Sequence, residues 1–450
     1  MDGDALAALE LPAILDRLAA AAATGLGAAR ARALCPSPDA GEVSRRKALT
    51  VEAVALLDAA DDPPLAGVVD LSSPLERAGR EGLLGPSELR DVAVAARVGI
   101  DARRVVHGRR ELAPGLATIA ERIDPSLRQL AEEIDRRVEE DGSDLRDSAS
   151  PALRKLRAEV RNGGARVREE LARVARSAGV RDALQESFLA ERAGRPVLAV
   201  RAASRAHVPG IVHDASSSGQ TVFVEPLAVV ELNNRLAEAA AAAREEAERI
   251  LRELSVLVAA REDELRALLA AVAELDLALA CGSLSRGWHG VEVEVGDEVR
   301  LVGARHPLLD RATAVPIDLD LGSLRALVIS GPNTGGKTVA LKTLGLAALL
   351  HQCGLLPPAA EARLPVFDRV LADIGDRQSI EMSLSTFSGH LRTLVEVLAS
   401  ATGRSLVLLD ELAAGTDPEE GAALAQALLE RLSGQARLTV VTTHFAELKE

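Results

Sequence analysis

The chain has 450 residues, enough for two or more domains at roughly 100 to 200 residues each. Its formal charge of −14 excludes a surface that is basic all over, the coat of a general nucleic-acid binder, but leaves room for a local basic face. Cys35, Cys281 and Cys353 stand far apart with no CxxC spacing. Neither a zinc knuckle nor a disulfide framework is suggested, and buried thiols in a reducing cytosol are expected. The Ala-rich opening stretch is broken by charges and a proline, and no window of about eighteen uninterrupted apolar residues occurs. A soluble, cytoplasmic protein with no signal peptide and no membrane contact is expected.

In chain order, residues 1–125 alternate Leu/Ala-rich helical windows with the breaks "CPSPDAG", "DDPPLAG" and "ELAPG", the pattern of a helical core. Residues 126–180 continue as helices. From Pro151 to Asp214 there are 13 Arg or Lys against 7 Asp or Glu, so the positive charge is concentrated here. Within 181–226 the Val-rich runs 196–201, 208–213 and 221–224, separated by Pro, Gly and Ser, predict a small antiparallel sheet.

From Leu227 to Cys281 there is no Gly or Pro. This predicts one continuous helix about 80 Å long with a single apolar stripe. Spanning 227–283, it would act as a lever joining the basic segment to residues 284–450. The alternative is a pair of helices with a turn hidden near "AAREDE". Residues 291–302, "VEVEVGDEVRLV", predict a two-strand hairpin about the Gly-Asp pair. The runs "LRALVIS", "VFDRVLADI", "SLVLLDEL" and "LTVVTTH", separated by helical stretches, predict an α/β nucleotide-binding domain over 284–450. The expected fold class is multidomain: a mainly α-helical core and lever helices, a small β-rich clamp segment, and an incomplete α/β P-loop domain.

The chemistry sits in that last block. Gly331-Pro332-Asn333-Thr334-Gly335-Gly336-Lys337-Thr338 fits GxxxxGK[ST] between a strand and a helix. Glycines let backbone N–H groups approach phosphate oxygens, Lys337 reaches the outer phosphates, and the Thr338 hydroxyl suits Mg²⁺, so ATP and Mg²⁺ are the expected cofactors. "LVLLDE" places Asp410, a candidate Mg²⁺ holder, and Glu411, a candidate base for the attacking water, at a strand end. His444 ends the strand "LTVVTTH", where it can sense or polarise a γ-phosphate. "SLSTFSGH", residues 383–390, offers small hydroxyls at a helix start, Ser385 among them.

"ARHPLL", "SGPNTGGKT", "STF" at 385–387, "LLDELAAGTD" and "TTHF", in this order, resemble the MutS family of DNA-binding ATPases. In the middle, "VPGIVHDASSSGQTVFVEPLAVVELNN" and "RDSASPALRKLR" resemble its second bacterial branch, linked to suppressing recombination and rescuing collided ribosomes. The resemblance implies an ABC-type ATPase that works as a homodimer, with Ser385 reaching the γ-phosphate bound by the partner. The catalytic set is then Glu411, His444 and Ser385, the metal set Thr338 and Asp410, and the nucleotide loop 331–338. It also implies further segments beyond Glu450, including a dimerisation element and a nuclease, so a fragment of a longer protein is expected.

The implied partners are branched or duplex DNA, a ribosome, or both. Arg192, Arg195, Arg201, Arg205, His207 and His213 are the candidate phosphate contacts if they share one face; the alternative is an ordinary salt-bridged surface. Phe188 and Phe223 are the only aromatics there, which favours duplex or structured RNA over single strands. Phe223-Val224-Glu225 matches the mismatch reader Phe-x-Glu but lies in a Val-rich run, so it is expected to pack in a core. A mismatch-repair damage sensor and a non-hydrolysing scaffold are the alternative functions.

Overall fold

A computed structural model describes residues 3–59, 62–310, 312–331, 336–375, 385–412 and 418–444, with the side chains of 186–189, 385–389 and 418 excepted. It divides into two compact units. The first takes Met1–Asp70, Arg97–Pro125 and Glu264–Glu450, the second Leu71–Ala96 and Ser126–Asp263.

The chain opens with helices α1 (Gly3–Ala8), α2 (Leu11–Ala21), α3 (Gly25–Arg32) and α4 (Ala40–Asp58). Then come α5 (Ser72–Gly79), α6 (Pro86–His107), α7 (Pro114–Ala120), α8 (Leu127–Arg137) and α9 (Pro151–Ala175). Four strands follow, β1 (Leu184–Arg192), β2 (Arg195–Arg201), β3 (Gly210–Ala215) and β4 (Thr221–Pro226), and then α10 (Leu227–Ala259) and α11 (Glu262–Gly287). The remainder is β5 (Glu294–Val295), β6 (Val299–Ala304), β7 (Ile317–Gly322), β8 (Ala326–Ser330), α12 (Lys337–Cys353), β9 (Glu361–Leu364), β10 (Val370–Asp373), α13 (Ser385–Ser400), β11 (Leu406–Leu409), α14 (Pro418–Gln435) and β12 (Leu438–Thr443).

In the second unit, α9 starts at a Ser150 cap whose hydroxyl oxygen accepts from the Leu153 N–H at 2.9 Å, with Pro151 at the first helical position. The same hydroxyl donates to Glu246 on α10 at 2.7 Å, tying the two helices. The expected antiparallel sheet is present, in the order β1-β2-β4-β3. Its first strand, β1, carries no alternating β-branched run and escapes a sequence reading. Val167 and Leu171 of α9 and Val229 of α10 pack with Leu198, Val200 and Val224 of the sheet into one core.

Three expectations need correction. The helix expected to run unbroken from Leu227 to Cys281 is two helices, α10 ending at Ala259 and α11 beginning at Glu262, within "AAREDE". No Gly or Pro marks the break, so the tertiary surroundings make it: Arg261 donates to the Ser126 hydroxyl, and the buried face of α11 starts only at Leu265. The Gly-Asp turn does not join a paired hairpin, because β9 lies between β5 and β6 in the sheet β5-β9-β6-β7. Arg363 on β9 bridges both sides, meeting Glu294 at 2.8 Å and Glu298 at 2.7 Å. Cys281 and Cys353 are buried as expected, but Cys35 is exposed.

The basic side chains of the small sheet are largely committed inside it. Glu225 is fully buried, where a carboxylate is stable only if paired. It accepts from Arg195 and Asn233, each at 2.8 Å, and meets His213. Burial pushes the Glu225 carboxyl up, but these three partners outweigh it and hold the group below its ordinary value. Arg205 donates to the carbonyls of Val208 and Gly210 at 3.1 and 2.8 Å, and Arg192 lies 3.7 Å over the Phe223 ring. Arg201 and His207 stay exposed. The six groups therefore do not form one free cationic face. Phe223-Val224-Glu225 is core, as expected.

In the first unit a parallel sheet runs β10-β11-β12-β8. Strand alternation sends Leu406, Leu408, Leu438 and Val440 into a core with α12 and the opening helices, while Val407, Leu409 and Val441 pack against α13 and α14. Both faces are covered, which is why these strands read as continuous apolar runs. Helix α11 is apolar and long enough to cross a membrane by length and composition, yet 67% of that apolar window is buried within the protein. Its composition is that of a core helix.

Candidate functional site at the carboxyl ends of the parallel strands

In a sheet of this kind the carboxyl ends of the strands open onto a common crevice. β8 ends at Ser330 and delivers Gly331, β11 delivers Asp410 and Glu411, and β12 delivers His444. Gly336 caps α12 in the left-handed conformation (φ 77°), open to glycine at little cost, so Lys337 and Thr338 fall on the first turn of a 17-residue helix. That helix start carries free N–H groups and the positive end of the helix dipole.

The Thr338 hydroxyl donates to Asp410 Oδ2 at 2.7 Å. Thr442, fully buried on β12, donates its hydroxyl to Asp410 Oδ1 and accepts from the Glu411 N–H at 2.8 Å. Both carboxylate oxygens of Asp410 are therefore held. Lys337 is 6% exposed, and its ammonium donates to the Gly331 carbonyl and lies 3.5 Å from His444 Nε2. The same imidazole nitrogen is 3.5 Å from Glu411 Oε1. Glu411 has φ 50°, a conformation that costs a non-glycine residue about 1–3 kcal/mol and persists only where the surroundings enforce it.

The structure thus gathers Gly331, Gly336, Lys337, Thr338, Asp410, Glu411 and His444 at one edge. Pro332, Asn333, Thr334 and Gly335 lie outside the described residues, and so does the side chain of Ser385, whose backbone begins α13. Three participants escape a sequence reading: Thr442, Asp373 and His390. Asp373 ends β10, its carbonyl accepts from the Asp410 N–H at 2.8 Å, and its carboxylate meets His390 Nδ1 of α13 at 2.8 Å. The helix that starts with Ser385 is thereby tied to the strand beside Asp410. Of these three, Thr442 opens "TTHF" and His390 ends "SLSTFSGH", both motifs visible in the sequence, whereas Asp373 belongs to none.

The donor set fits a nucleotide with a divalent ion: one ammonium and one helix start for phosphate oxygens, one hydroxyl and one carboxylate as hard oxygen ligands. Among the described residues no group of three His, Cys, Asp or Glu could hold a metal unaided. A cation here needs oxygens from its ligand, the habit of Mg²⁺ bound with phosphates.

A family model described as MutS domain V matches residues 327–450, the stretch that contains every one of these groups. Relatives named Endonuclease MutS2 align along nearly the whole chain. The protein of Geobacillus thermodenitrificans (strain NG80-2) is 43% identical over 447 residues, covering 98% of this chain and 57% of its own length. That of Symbiobacterium thermophilum is 45% identical over 453 residues, covering 100% and 56%, and that of Thermomicrobium roseum 44% over 470 residues, covering 100% and 58%. The chain therefore spans a little over half the length of the curated relatives it matches. Identity at this level along both units, joined to a domain V match over the strand ends that carry Lys337, Asp410 and His444, means that the chain belongs to the MutS family, beside its MutS2 members.

Proposed function

We propose that this chain carries the nucleotide site of a MutS-type ATPase that couples ATP binding and hydrolysis to holding nucleic acid. The observation that carries the reading is the convergence of Lys337, Thr338 and Asp410, with the Thr338 hydroxyl 2.7 Å from Asp410 Oδ2. ATP would lie along residues 331–338, with Lys337 donating to its outer phosphates and Thr338 and Asp410 serving its Mg²⁺. When bound, Mg²⁺–ATP supplies the phosphoanhydride and the charge that balances it. Glu411 accepts a proton from the attacking water at its carboxylate. His444, between Lys337 and Glu411, reports phosphate occupancy to both.

The resemblance adds that two such heads face one another in a homodimer, with Ser385 completing the partner's site. The substrate is branched DNA, a collided ribosome, or both, gripped by the second unit. The nuclease named in the relatives is assigned to the part of those proteins beyond the matched stretch. A mismatch reader is disfavoured by the burial of Phe223 and Glu225.

Equilibrium binding of a fluorescent ATP analogue with Mg²⁺ tests the site. Lys337→Ala should weaken affinity at least about tenfold, the scale of one charge-assisted contact. Asp410→Asn should abolish the gain from adding Mg²⁺. Unchanged affinity in both variants would sink the reading.

A further inference from the structure

The motif Arg305-His306-Pro307 contributes no group to the strand-end site. It lines a separate cavity of about 650 Å³ in the first unit. None of Gly331, Gly336, Lys337, Thr338, Asp410, Glu411 or His444 borders that cavity. We infer that it is a second ligand site, and that its ligand is a small aromatic anion, a flat apolar body carrying one carboxylate or sulfonate.

Its size is that of a site for a molecule of a few rings. Trp288, at the end of α11, forms one wall, with Leu284, Leu309 and Pro316 around it. The walls are cross-tied and not loosely packed. The Trp288 indole N–H donates to the Leu356 carbonyl at 2.7 Å, the Arg17 guanidinium to the Pro307 carbonyl at 3.1 Å, and the Arg305 N–H to the Pro358 carbonyl at 3.0 Å. Four separate stretches of chain are thus fixed around one space, the preorganisation that lets a pocket bind without ordering itself first.

The sign of the ligand follows from the charges. Arg17 and Arg305 are the charged groups that line the cavity, with the imidazoles of His289 and His306 beside them; no Asp or Glu lines it, and Glu10 stands behind His306. In a chain with 67 acidic and 53 basic residues this is a local inversion of the overall balance. His306 supplies an independent observation. It is 5% exposed, and its Nε2 has no hydrogen-bond partner among the described residues, standing 3.7 Å from Glu10 Oε2. A buried polar atom left in this way costs free energy that a hydrogen-bonding partner would recover. His289, in the left-handed conformation at φ 53°, adds a strained residue at the rim, as binding sites often do.

Trp288 is the only tryptophan, so it reports on its own cavity. The probe is 8-anilinonaphthalene-1-sulfonate, with neutral N-phenyl-1-naphthylamine as the uncharged match. Energy transfer from Trp288 to the sulfonate should saturate at one molecule per chain and persist in excess Mg²⁺–ATP. Affinity should fall about tenfold in Arg305→Gln, the scale of a lost charge-assisted contact. It should fall in Arg17→Gln too, where the side chain lies on the exposed face of α2 and the fold is not at risk. Equal binding of the neutral compound, affinity unchanged in both variants, displacement by ATP, or no saturable transfer would each overturn the inference. Because the nucleotide site is read separately with labelled ATP, failure here leaves the ATPase proposal standing, and the reverse holds as well.

Discussion

His351, on α12, is fully buried, and neither ring nitrogen has a hydrogen-bond partner among the described residues. Burial, helped by the Lys47 charge, pushes its pKa down to about 4. Below pH 6.5 the unfolded chain takes up a proton that the folded chain refuses until about pH 4. Stability from this residue is therefore complete above pH 6.5 and is lost as pH falls through that window, by about 1.4 kcal/mol per unit. Urea midpoints should drop between pH 7 and pH 5, and His351→Leu should flatten that slope while keeping the pH 7 midpoint. Glu411 makes the opposite kind of case, a residue kept at a cost. Glu411→Gly should relieve about 1 kcal/mol of backbone strain, raising the midpoint, while removing the carboxylate that the proposed hydrolysis needs. Loss of ATP turnover together with a higher midpoint is the expected pair of results.

At the scale of elements, Phe367 and Gln352 show how the end of α12 is locked to the strand region. Phe367 is fully buried; its N–H donates to Gln352 Oε1 at 3.1 Å, and its carbonyl accepts from Gln352 Nε2 at 2.9 Å. Phe367→Ala should cost about 3–5 kcal/mol, measured as denaturant midpoint times slope, since it leaves a cavity in the core around α12. The parallel strands of that core were legible because a strand covered on both faces must be apolar throughout, and "LVLL" and "LTVV" can be little else. The meeting of Lys337 and Thr338 with Asp410 and Glu411 at the strand ends was legible because each pair directly follows an apolar strand run or opens the helix behind it. The break at Ala260–Arg261 was not, since alanine and arginine favour helix and a tertiary contact from Arg261 overrides them. Nor was the insertion of β9 beside β6, a pairing between residues some sixty apart in sequence. Thr442, Asp373 and His390 escaped for the same reason: each acts through a partner distant along the chain.

At the scale of the molecule, an overall charge of −14 must coexist with a proposed grip on nucleic acid, so the few exposed cations of the basic stretch decide where that grip lies. The sheet is a poor candidate, because Arg195 and His213 are held by buried Glu225 and Arg205 by backbone carbonyls. Helix α9 is better placed. Arg154, Arg161 and Arg168 are exposed and seven residues apart, so they lie along one face of that helix. Arg161 is held by Asp147 at 2.9 Å, an exposed pair that a phosphate can replace at little cost. Each phosphate contact releases counterions and adds about 0.9 to the slope of log affinity against log salt on duplex DNA. Arg154→Ala with Arg168→Ala should lower that slope by about 2, measured by fluorescence anisotropy on a four-way junction from 50 to 200 mM salt. Arg195→Ala should instead lower the unfolding midpoint, by stranding Glu225, and leave the slope nearly as it was. If the two sets exchange their effects, the sheet and not α9 carries the phosphates, and the internal pairing of Arg195 must open when nucleic acid binds.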